Sequence, residues 1–309
     1  MAVAERPEAS VFACGQCGAA LSFAGLSAQT CPYCASPSIV ERPALGNAPD
    51  RPRPRFVVAF VGDRAVARRA LDRWLGSRTI FADPALRRGE VASLRGVYVP
   101  AYLYSAVAST DYTAQIGENY TETETYTTTD KHGKSTSATR TVTRTEYRAL
   151  SGRHVGYVAD VLVSASGGLG DAELAAIEPF DLKQLRRYSP ALISGWIAEE
   201  LSRDAAACLQ ASRGEAGDQL GEQLRRFMPG DSYSDLAYRS TVSWESLDPI
   251  LVPVWVLALR YRDGKPPLRV VINGQTGAVF GRVPLSLARL AIALVALLGI
   301  AAAIWWWQA

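Results

Sequence analysis

Residues 251–281 read LVPVWVLALRYRDGKPPLRVVINGQTGAVFG, and this stretch decides the expected character of the body. Leu251 to Leu257 is a β-branched and aromatic run, and Asp263-Gly264 is suited to turn the chain. Leu268 to Ile272 supplies a second strand, and Asn273-Gly274 is a strong hairpin signal before Gly277 to Gly281. The soluble part therefore ends in a β meander, and an antiparallel sheet is the expected core element.

Toward the N-terminus the pattern alternates between helical and extended. Ser189-Pro190 offers a cap and a first-turn proline. Leu192, Ile193, Trp196, Ile197, Leu201, Ala205 and Cys208 then fall on one face of a predicted helix. Gly214 and Gly217 are expected to interrupt that helix before Leu220, Leu224 and Phe227 resume its pattern. Glu199 and Glu200 lie on its polar side, where a solvated surface is the ordinary expectation. Cys208 reads as a buried core thiol.

Residues 121–146 are threonine-rich on both sides of Lys131-His132-Gly133-Lys134. Threonine favours strands and Gly133 favours a turn, so a long hairpin that is polar on both faces is expected there. Val97 to Tyr104 opens a strand region, and Phe56 to Val61 reads as a strand. Asp63 is placed to cap a helix through Gly76, with Val66, Ala70, Leu71, Trp74 and Leu75 on its apolar side. Asp83-Pro84 starts a short helical turn. Val99-Pro100-Ala101-Tyr102 and Val252-Pro253-Val254-Trp255 look alike, which suggests two related halves.

The two ends of the chain carry the most specific signals. Cys14, Cys17, Cys31 and Cys34 form a C-x₂-C-x₁₃-C-x₂-C array. Four thiolates in a closed tetrahedral shell suit a structural Zn²⁺, and paired C-x-x-C turns can also hold iron. At the other end, Leu290 to Trp307 runs for eighteen residues without a charge or a proline. At 1.5 Å per residue this covers about 27 Å, close to the hydrocarbon thickness of a bilayer. Arg282 and Arg289 precede the run and three tryptophans close it. Basic residues favour the cytosolic side and indole rings the interface, so a cytosolic N-terminal body is expected.

The expected class is α+β: a zinc ribbon over residues 1–40, a proline- and arginine-rich linker over 41–55, and a body over 56–284. That body is read as mixed α+β with an antiparallel sheet and the long Thr-rich hairpin. A transmembrane helix over 285–309 completes the chain. Residues 1–10 have no apolar run behind their charges, so no signal peptide is expected there.

These residues resemble a bacterial family of zinc-ribbon, single-pass membrane proteins that includes YdjG-like members. The resemblance rests on the cysteine pairs, Trp74-Leu75, Gly96 to Pro100, Leu251 to Trp255, and Asn273 to Gly277. Members are often labelled primosomal protein N′ or PriA-like helicase. The chain carries no Gly-x₄-Gly-Lys-Ser/Thr phosphate loop, which argues against a helicase motor. The resemblance implies a scaffold or recruiter at the cytosolic face of the inner membrane, with SPFH-domain or PspA-type partners.

No catalytic constellation is evident, since neither His132 nor His154 lies near a nucleophile signature, and no enzyme is expected. The competing reading is a nucleic-acid-binding zinc-ribbon protein, in keeping with the PriA-like label. Against it, the net charge is only +3 and no Arg or Lys lies between Cys14 and Cys34.

Overall fold

A computed structural model of the chain describes residues 10–14, 19–23, 31–33, 39–42, 53–77, 81–129, 135–262, 264–265 and 267–308. Among these, the N-terminal strands are β1 (Ser10–Cys14), β2 (Ala20–Phe23), β3 (Ile39–Arg42) and β4 (Phe56–Val57). Helix α1 (Arg64–Gly76) follows, then the very long strands β5 (Glu90–Thr129) and β6 (Ser135–Ser164). A short helix α2 (Asp171–Ala175), strands β7 (Arg186–Arg187) and β8 (Ile197–Glu199), and helix α3 (Ala205–Phe227) come next. The chain ends with β9 (Ser232–Arg260), β10 (Leu268–Asn273), β11 (Val279–Gly281) and α4 (Leu287–Gln308).

One sheet joins the strands in the order β11-β10-β9-β5-β8-β2-β1-β3, with β6 paired to β5 and β4 paired to β7 and β9. The sheet is mixed. β5 runs parallel to β8 through Val97 and Tyr98, and β4 runs parallel to β9 through Phe56 and Val57. β1–β2, β1–β3, β2–β8, β4–β7, β9–β10 and β10–β11 are antiparallel, with β10 against β9 from Leu268↔Leu259 to Asn273↔Val254.

This overturns the expected class. The N-terminal strands are not a separate ribbon: β2 pairs with β8 through Leu21↔Glu199 and Ser22↔Ala198, so β1, β2 and β3 extend the main sheet. An edge strand has unpaired amides and carbonyls, and β8 satisfies its own on the N-terminal segment. Among the described residues no zinc ribbon is formed, and the sheet is not purely antiparallel.

The chain divides into two compact units. The first comprises Met1–Leu103, Leu162–Leu209 and Leu247–Ala309, and the second Tyr104–Val161 and Gln210–Ser246. In the first, Val97, Val99 and Ala101 of β5 are buried with Ile250, Val252, Val254 and Val256 of β9 in one apolar cluster. Alternate residues of each strand face the same side, so these sets form one interior layer. Trp255, Leu257, Val270 and Ile272 look the other way, and α1 covers them with Ala70, Leu71 and Trp74. Both faces of the central strands are therefore dry, which explains their continuous apolar runs.

Local signals in the first unit act as expected. The Asp63 carboxylate accepts from the Val66 amide at 2.9 Å and starts α1. Asp83 accepts from the Ala85 amide at 3.0 Å and starts the turn Pro84–Arg88. Asn273 Oδ1 accepts from the amides of Gln275 and Thr276 at 2.8 and 3.1 Å, closing the β10–β11 turn, and Gly277 there has φ +73°. Only glycine adopts that conformation without strain.

The second unit is built on alternation. Tyr104, Ala106, Ala108, Thr110, Tyr112, Ala114 and Ile116 are all buried, and the residues between them are more exposed. α3 contributes Ser212, Ala216, Leu220 and Leu224 as its buried stripe, and the Phe227 ring meets Tyr112 edge-on at 6.2 Å. The expected hairpin over 121–146 is thus the distal part of a far longer pairing of β5 and β6. Residues 131–134, the predicted turn, lie outside the described residues.

Two helical expectations are corrected. The predicted helix through Trp196 and Ile197 is instead the turn Pro190–Ile193 followed by β8, and α3 begins only at Ala205. Gly214 and Gly217 do not interrupt α3, which runs through both.

Candidate functional site

The four cysteines were the predicted metal ligands. Cys14 and Cys31 are both buried, in the cluster that also holds Ala19 and Tyr33, whereas Cys17 and Cys34 lie outside the described residues. Among the described residues no group of three or more His, Cys, Asp or Glu is placed to hold a metal ion. Cys208 is buried, as expected, with its Sγ 3.6 Å from the Ser164 carbonyl.

Next to Cys31 in sequence, the chain makes a polar node that the sequence reading missed. Glu199, expected on a solvated helical face, sits on β8 and is buried. Its Oε2 accepts from the Tyr33 hydroxyl at 2.5 Å and the Ser166 hydroxyl at 2.7 Å. Its Oε1 accepts from the amides of Gly167 and Gly168, both at 3.0 Å. A carboxylate offers about four acceptor sites, so every lone pair is occupied. Burial pushes the Glu199 carboxyl above its ordinary value, and the hydrogen bonds from Ser166 and Tyr33 pull it back. Burial also raises Tyr33 well above the usual phenol range, with the neighbouring Glu199 charge adding to it.

The node organises the loop Ser164–Gly170, whose sequence SASGGLG is rich in small residues that leave amides accessible. Ser166 Oγ accepts from Gly168 and Leu169 at 2.9 and 2.7 Å. A side chain at Gly168 would meet the Tyr33 ring at 2.8 Å and Ala19 at 2.9 Å. Arg269 closes the outside, donating to the Gly168 carbonyl at 2.6 Å and pairing with Glu173. Saturated in this way, Glu199 works as a clamp that ties the N-terminal segment to the sheet.

The second arrangement lies where the apolar C-terminal helix leaves the body. α4 is long and apolar enough to cross a membrane, and none of its apolar window is buried. Its root is held by a collar of backbone bonds. Asp83 N–H donates to the Pro284 carbonyl at 2.9 Å, and Ser286 N–H to the Phe81 carbonyl at 2.8 Å. Arg289, in the first turn of α4, donates to the Ala82 carbonyl at 3.2 Å. Asp83 itself is buried and pairs with Arg262 at 2.8 Å. The short turn at Asp83-Pro84 thereby receives the helix, a role its capping signal did not announce.

Comparison with known proteins gives one distant likeness. The chain is similar to the uncharacterized protein YdjG of Bacillus subtilis (strain 168). The two are 22% identical over 242 residues, which is 77% of this chain and 66% of that protein. The match thus spans just under two thirds of the relative's length. No family model matches the chain, and no solved structure matches it.

Proposed function

We propose that this chain is a cytosol-facing protein of the bacterial inner membrane. It is held there by α4 and serves as a scaffold or recruiter in a membrane-associated assembly. The observation that carries the reading is α4 itself. Its Ile292, Leu294, Val295, Leu297 and Trp305 to Trp307 side chains are all half-exposed or more. Leaving so much apolar surface in water is unfavourable by roughly 25 cal/mol per Å², whereas a bilayer accepts it. The basic residues Arg282 and Arg289 at the root of the helix favour a cytosolic body.

The recruiter role is the one that the family resemblance implies. SPFH-domain or PspA-type proteins are the partner class implied by the family resemblance. The experiment is purification of the full chain from its native membrane in mild detergent, followed by identification of stoichiometric partners. Recovery of the chain alone, at several detergent strengths, would sink the recruiter reading.

We also propose that Cys14, Cys17, Cys31 and Cys34 hold one Zn²⁺. The burial of Cys14 and Cys31 in a common apolar cluster fits a closed thiolate shell that water does not enter. Bound there, the ion would add its binding free energy to the folding of the N-terminal segment.

A further inference from the structure

The collar around the root of α4 is one side of a cleft of 1140 Å³. Its charged lining is one-sided: Arg87, Arg88, Arg262 and Arg289 face a single acid, Asp83. That acid is already matched, by Arg262 at 2.8 Å and by the Ala85 amide at 3.0 Å. Arg87 and Arg88 are exposed and make no ion pair among the described residues. Much of the remaining lining is apolar, and it includes Ile292 and Ala293 of α4.

The position of the cleft gives this charge a meaning. The rise from Arg289 to Ala293 is about 6 Å along the helix, so the cleft lies beside the first turn of the apolar span. In a bilayer that depth is the headgroup layer, where lipid phosphates sit above their acyl chains. Guanidinium groups bind phosphate oxygens through paired, charge-assisted hydrogen bonds. An anionic leaflet attracts such residues by an amount that grows with each arginine.

We propose that this cleft binds the phosphate headgroup of an anionic phospholipid, with Arg87 and Arg88 as the principal cationic contacts. The acyl chains of that lipid run down the Ile292 and Ala293 side of α4. This rests on the reading of α4 as a membrane span. Inorganic phosphate shares the headgroup chemistry, but the apolar wall continuing onto α4 selects the acylated form.

The test uses the full chain in detergent micelles supplied with equal amounts of phosphatidylglycerol and phosphatidylcholine, with retained lipid measured by native mass spectrometry. Phosphatidylglycerol should be retained preferentially. Arg87→Gln with Arg88→Gln should reduce that preference on the order of tenfold or more. The charge-matched pair Arg186→Gln with Arg187→Gln, outside the cleft, should leave it unchanged. Equal retention of the two lipids, or an unaltered preference in the Arg87/Arg88 variant, would overturn the proposal. So would displacement of phosphatidylglycerol by millimolar inorganic phosphate, which would assign the cleft to a soluble anion. Carbonate extraction of native membranes separates this from the parent reading. A chain that is released defeats the anchor, whereas one that stays but shows no lipid preference defeats only the cleft.

Discussion

The Tyr33 hydroxyl donates a 2.5 Å hydrogen bond to the Glu199 carboxylate across 166 residues of sequence. It joins the cysteine-bearing N-terminal segment to the central sheet, at the same place where β2 pairs with β8. Neither group has access to water, so each is the other's replacement for solvent.

Removing the acceptor should therefore cost more than removing one donor. Glu199→Ala strands two hydroxyls and two amides, for a loss of about 3 kcal/mol or more. Tyr33→Phe removes a single charge-assisted bond, for a loss of roughly 1.5–3 kcal/mol. Thermal unfolding of the full chain in detergent checks the order. Melting temperatures that match the wild type in both variants would refute the clamp.

A second polar cluster, at the surface end of the buried Tyr104, predicts a dependence on pH. Arg213, at 2.7 Å, and Tyr104 together hold the Glu245 carboxyl at about 2, and burial with the Glu245 bond raises Tyr104 to about 12. Glu245 binds its proton less tightly folded than unfolded. Its contribution is present above about pH 4.3, the ordinary glutamate value, and is lost as pH falls toward the folded value. Tyr104 has the opposite sign: its contribution is present below about pH 10 and is lost as pH rises through its folded value. Melting temperature measured against pH should fall less steeply on the acid side in Glu245→Gln. An unchanged acid slope would show that other carboxylates govern it.

Close packing beside β5 gives a steric prediction. The Phe60 and Trp196 rings stack at 4.1 Å with planes 9° apart, and a side chain at Gly96 would lie 2.3 Å from Trp196. Gly96→Ala must displace the indole, at a cost of roughly 1–3 kcal/mol. Tryptophan fluorescence and the melting temperature should both shift, and a variant identical to wild type in both would contradict the stack.

For the anchor, deletion of residues 290–309 keeps the bonds between residues 81–83 and 284–289 while removing the apolar span. The shortened chain should move from the carbonate-washed membrane pellet to the supernatant. A shortened chain that stays in the pellet would place the membrane attachment elsewhere.

The metal proposal is read by elemental analysis. The full chain should carry about one zinc per molecule, and Cys14→Ser should lower it severalfold. Iron in place of zinc would change the ion but not the ligands. Wild-type protein purified without chelators and lacking both metals would refute the site.

What the sequence determined by itself was whatever depends on neighbours a few residues apart. Asp63 and Asp83 cap because their carboxylates reach amides two or three residues on, and Asn273 closes its turn in the same way. The apolar span of α4 was legible because a bilayer reads composition along one helix. The alternation from Tyr104 to Ile116 was equally present in the sequence, as was the loop SASGGLG, yet their small alanines and glycines gave weak signals. Only the tertiary structure decided that Ile197 to Glu199 forms a strand, because helical spacing of apolar residues there was overridden by pairing with β5 and β2. The same pairing buried Glu199, which in a helix would have faced water. Long-range backbone pairing is invisible to local periodicity, since its partners lie a hundred residues or more away, and that is why the clamp and the cleft at the root of α4 appear only in the fold.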